Sequence, residues 1–101
     1  MAFDMIVGKE RTYIETDEEV LFLITQGDKN YPQLNRLWES YYESPKIYPD
    51  IANTLVYELE QLKSNLFDAE NRKTVETVIN RIVPFLERAF ENHAVINCKS
   101  D

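Results

Sequence analysis

The chain has 101 residues, 44% of them apolar and 12% aromatic, which is enough for one domain with its own core. Eleven Lys and Arg against 18 Asp and Glu leave a formal charge of −7. Such a surface repels phosphate and argues against nucleic acid as a partner, because that affinity rests on cations displacing counterions. With one cysteine, Cys98, and one histidine, His93, the chain can form no internal disulfide and has too few soft ligands for a zinc site.

Phe3–Val7 is short, apolar and β-prone, and stops at Gly8. It reads as a strand that Tyr13–Glu15 extend or answer. The segment Met1–Gly8 has neither a basic start nor a long apolar run, so no signal peptide is expected. No stretch reaches membrane-spanning length, and the expected location is the cytoplasm. Thr16 with Glu19 has capping-box spacing, which makes a short helix the preferred reading of the apolar run 20–24, with Gly27 as its stop.

Pro32 suits a first helical turn, and Leu34, Leu37, Trp38, Tyr41 and Tyr42 follow at helical spacing. Residues 44–49, with Pro45 and Pro49, read as a stiff loop. Asp50–Leu66 carries the stripe Ile51, Leu55, Leu59, Leu62 and Leu66 of an amphipathic helix. Asp68 is placed to cap a longer helix running to about Asn92, in which Pro84 predicts a bend or a break into two segments. Ala94–Cys98 reads as a closing strand that pairs with the first. The expected fold is α+β: a single domain over 1–101, with three or four helices packed on a small sheet formed by the N- and C-terminal strands.

Catalytic machinery is not legible. There is no phosphate-binding glycine loop and no nucleophile elbow. His93 reads as a surface or helix-end residue, and Cys98 as a packing residue. Glu58 and Glu60, two apart on a helix, diverge by roughly 200° and cannot share a proton or a cation. No enzyme activity, cofactor, metal or small-molecule ligand is expected. Arg81 and Arg88 share a helix face, yet Glu87 and Glu91 interrupt it, so no basic stripe forms.

What remains is aromatic and acidic. Tyrosine and tryptophan combine large apolar area with a polar tip and are enriched at interfaces. The expected contact residues are therefore Trp38, Glu39, Tyr41, Tyr42, Glu43, Tyr48, Asp50 and Glu58. Tyr41 and Tyr42 diverge by roughly 100° if helical, so both cannot be buried. The acidic rim favours a basic protein partner.

The opening MAFDMIVGKE, the segment YPQLNRLWESYYESPKIYP and the close AVINCKSD resemble small bacterial proteins encoded beside toxin genes. Some of those are immunity proteins of contact-dependent inhibition and related polymorphic-toxin systems. The resemblance implies a cytosolic inhibitor that covers the active site of a toxin domain, often a basic nuclease. The alternative is a small adaptor or regulatory subunit of a bacterial complex, for which a homodimer burying the Tyr41/Tyr42 region would speak.

Overall fold

A computed structural model describes residues 2–66 and 70–100. Strand β1 (Ala2–Val7) turns at Gly8–Lys9 into β2 (Glu10–Glu15), with Gly8 at φ +57°, a conformation that favours glycine. After the helices the chain returns as β4 (Ile96–Ser100), antiparallel to β1 with Met5 opposite Cys98. The pairing expected of the two ends is therefore present. The stiff loop also holds a strand that the sequence reading missed: β3 (Lys46–Ile47) pairs with β4, giving the antiparallel order β2-β1-β4-β3. Alternation puts Phe3, Met5, Thr12, Ile14, Ile47, Ile96 and Cys98 on one buried face. The helices cover that face, so the fold is α+β.

A 3-10 turn at Thr16–Glu19 leads into α1 (Val20–Thr25). The short helix is as expected, but the backbone cap differs. The Glu18 carboxylate accepts the Glu15 N–H at 2.8 Å, one residue earlier than the Thr16/Glu19 spacing implies. Helix α2 (Pro32–Glu39) starts at its proline but ends before Tyr41. The Ser40 hydroxyl donates to the carbonyls of Arg36 and Leu37 at 3.2 and 3.4 Å, which satisfies the last turn and lets the chain leave the helix. Tyr41 and Tyr42 therefore sit in a turn, not on the helical stripe.

Helices α3 (Pro49–Asn65) and α4 (Arg72–Glu91) form the second layer. The expected cap at Asp68 lies outside the described residues. Pro84 does not divide α4, which is continuous. Both Pro84 and Asn80 are exposed, so the carbonyl that the proline deprives of its donor faces water.

Helix α4 closes in a Schellman arrangement. The His93 N–H donates to the Phe90 carbonyl at 3.1 Å and the Ala94 N–H to the Ala89 carbonyl at 2.9 Å. His93 itself has φ +53°, where a β-carbon is penalised and glycine is usual. We expect His93→Gly to stabilise the protein by about 1 kcal/mol, raising the midpoint of thermal unfolding by roughly 4–8 °C. A lower midpoint would contradict this reading of the turn.

The two sheet edges differ. The Cys98 N–H donates to the Pro45 carbonyl at 3.0 Å, so the polar groups of Cys98 face β3 and those of Met5 face β2. The same alternation turns Arg11, Tyr13 and Glu15 outward on the free side of β2. Two of those groups, the Tyr13 carbonyl and the Glu15 N–H, are held by side chains. Arg81 of α4 donates to the Tyr13 carbonyl at 3.3 Å and lies 4.3 Å from the Tyr13 ring centre. Glu18 takes the Glu15 N–H, and the two side chains join through paired Arg81–Glu18 bonds of 2.5 and 2.8 Å. On β3 the outward groups belong to Lys46.

Candidate functional site: an aromatic and acidic face

A ladder of rings runs from the core to the surface. Phe3 stacks on Tyr41 at 4.1 Å between ring centres. Tyr41 meets Tyr42 edge-on at 5.3 Å and Trp38 at 4.9 Å, and Trp38 stacks on Phe22 at 5.0 Å. Tyr41 is 1% exposed and Tyr42 is 67% exposed, so adjacent residues divide between core and surface. Trp38 is half-buried against the core. The turn after α2 thus presents a solvent-facing tyrosine packed edge-on against the buried Tyr41 ring.

Beside it, Trp38 and Glu39 line a recess of about 410 Å³ together with Gln26, Gly27, Asp28, Lys29 and Asn35. Its wall is held by one side chain. The Asn35 amide donates to the carbonyls of Thr25, Asp28 and Tyr31 at 3.1, 3.2 and 2.8 Å, and its oxygen accepts the Gly27 N–H at 2.9 Å. Gly27 at φ +78° allows the chain to make that bend. With its two amide hydrogens shared among three carbonyls and its oxygen accepting, Asn35 ties the 25–31 loop to α2. Glu43 is exposed just beyond Tyr42.

The structure brings Trp38, Glu39, Tyr42 and Glu43 to one region and removes two of the expected contact residues from the surface. Tyr41 is core. Its hydroxyl is buried without a hydrogen-bond partner, and desolvation, then the nearby Glu19 carboxylate, push its pKa far above the ordinary phenol value. Glu58 is 2% exposed, because its carboxylate accepts the backbone N–H groups of Gln33 and Leu34 at 3.1 and 3.0 Å. It fills the open donors at the start of α2, a role that belongs to a local side chain in most helices. Tyr48 and Asp50 are exposed, but they stand where β3 passes into α3.

Two polar features whose partners the sequence does not disclose, the Asn35 amide and the Glu18–Arg81 pair, hold the loop and the sheet edge. No local pattern announces either, since the ion-pair partners are 63 residues apart. Burial raises the Glu18 pKa, but the hydrogen bonds from Arg81 and the Glu15 N–H and the Arg81 charge outweigh it and hold the carboxyl below its ordinary value.

Cys98 is buried, and desolvation pushes its thiol up to about 12, so it carries no thiolate at neutral pH. His93 is exposed at the end of α4. Among the described residues, no three His, Cys, Asp or Glu side chains gather as a metal site, and no helix is long and apolar enough to cross a membrane. Fold and face together define an α+β protein with an exposed aromatic spur and acidic neighbours. No protein-family model, curated protein or solved structure matches the chain.

Proposed function

We propose that this chain is a protein-binding inhibitor: a cytosolic immunity protein that neutralises a toxin domain, most simply a basic nuclease, by covering its active site. The observation that carries the reading is Tyr42, 67% exposed yet packed edge-on against the Tyr41 ring, with the exposed Glu39 and Glu43 close to it in sequence. A large side chain already packed before contact loses little entropy on binding, which is the property of an interface anchor. The carboxylates around it, and the net charge of −7, favour a cationic surface and speed encounter with it.

Capture from the source cell tests this. Wild-type protein should retain a basic toxin-like polypeptide. Tyr42→Ala, and separately Glu39→Lys with Glu43→Lys, should retain it at least about tenfold less well with unfolding midpoints unchanged. Equal retention by wild type and both variants would overturn the assignment of this face, and capture of only acidic or neutral partners would overturn the toxin reading.

A further inference from the structure

Helix α2 has a second side. Opposite Asn35, Trp38 and Glu39, its residues Arg36 and Leu37 wall a recess of about 190 Å³, completed by Pro45 and Ile47 around β3 and by Ile51 and Leu55 of α3. Its floor is apolar. In a chain of net charge −7, the charged residues along this recess, among the described residues, are Arg36 and Lys46.

The recess lies where the sheet is open. On β2 the outward Tyr13 carbonyl and Glu15 N–H are held by Arg81 and Glu18. On β3, the Cys98–Pro45 bond fixes the register so that the Lys46 N–H and carbonyl point away from the sheet. Lys46 is exposed and borders the recess, with its side chain alternating to the face opposite Ile47. An unpaired edge residue, an apolar trough and flanking cations are the components of strand-addition recognition, in which main-chain bonds set direction and side chains set specificity. Strand β3 is two residues long and the Tyr48 carbonyl beyond it accepts the Ala52 N–H at 2.8 Å, so the open ladder is short, which also protects the edge from open-ended self-association.

We infer that this groove is a docking site for an extended, acidic segment of a partner protein, which pairs with Lys46 and sets carboxylates against Arg36 and Lys46. The site is separate from the Tyr42 face and does not rest on the toxin reading.

The test is a titration of the full chain with capped eight-residue peptides, followed by amide NMR shifts. Physiological salt screens the remaining acidic surface beyond about 8 Å. An alternating Val/Glu peptide should bind and shift the amides of Leu37, Lys46 and Ile51. An alternating Val/Lys peptide should not bind. Methylation of the central amides of the Val/Glu peptide, or the exposed-site double variant Arg36→Glu with Lys46→Glu, should weaken binding at least about tenfold. Equal binding of the Lys peptide, unchanged affinity in the double variant, or no shifts at millimolar peptide would overturn the inference. The double variant should still capture the partner of the Tyr42 face, so failure here is distinguishable from failure of that reading.

Discussion

Arg81→Met should destabilise the protein by about 3 kcal/mol at pH 7, seen as a fall in the denaturant midpoint without a change in slope. The reason is what it leaves behind. The Glu18 side chain is 7% exposed and its strongest partner is the Arg81 guanidinium. Removing the arginine strands a buried carboxylate, which costs more than the pair contributes. The Arg81 side chain is 24% exposed, so the loss falls at the low end of the range for buried pairs. The change also frees the Tyr13 carbonyl and opens the long edge of the sheet. Exchanging both partners, Glu18→Leu with Arg81→Met, should recover part of the loss, because no buried ion remains.

The pH dependence has a definite sign. The Glu18 pKa is lowered in the folded protein below its ordinary value, so the stabilisation from the pair is complete above that ordinary value and declines as pH falls through the folded one. In Arg81→Met the stranded carboxyl prefers its proton, so the variant gains relative stability in acid. The gap between wild type and variant should therefore narrow as pH falls from the variant's raised carboxyl pKa to the lowered one of the wild type. A gap that is constant from pH 7 to pH 3 would show that Arg81 acts by packing alone.

Glu58→Ala should cost about 2–4 kcal/mol, with Glu58→Gln intermediate. The alanine leaves the Gln33 and Leu34 N–H groups without their acceptor, and Leu34 is 1% exposed, so water does not readily replace it. The glutamine keeps one oxygen for those donors but gives up the negative charge that faces the positive end of α2. Hydrogen exchange at the Leu34 amide should accelerate more in the alanine variant than in the glutamine variant. Equal stability of all three proteins would contradict the capping role. Because α2 also carries Trp38, any loss of partner binding in these variants should track the loss of helix order.

These two residues mark where sequence reasoning stops. Periodicity located α3 and α4 well, because their apolar stripes persist over many turns. The end strands were legible as short apolar runs with nowhere else to pair. Strand β3 was not, since Lys46–Ile47 offers two residues between prolines and no alternation to read. The stripe through Leu34, Leu37 and Trp38 continues in register to Tyr41, so the helix end set by Ser40 is hidden. Glutamate as a type is usually exposed, which makes Glu58 an expected surface acid, whereas its environment depends on donors 24 and 25 residues away. Of the contact face, the divergence of Tyr41 and Tyr42 was predicted, but on a helical geometry that the chain does not have.

The central claim is that a basic partner docks on Tyr42 and the acidic groups beside it, next to the chain's single tryptophan. The most direct measurement is a titration of captured partner against this chain labelled with 5-fluorotryptophan at Trp38, followed by fluorine NMR over a range of salt. The account predicts a shifted Trp38 resonance on binding, an affinity that falls steadily as salt rises, and loss of both effects in Tyr42→Ala. Tight binding that is indifferent to salt and leaves the Trp38 resonance in place would contradict it.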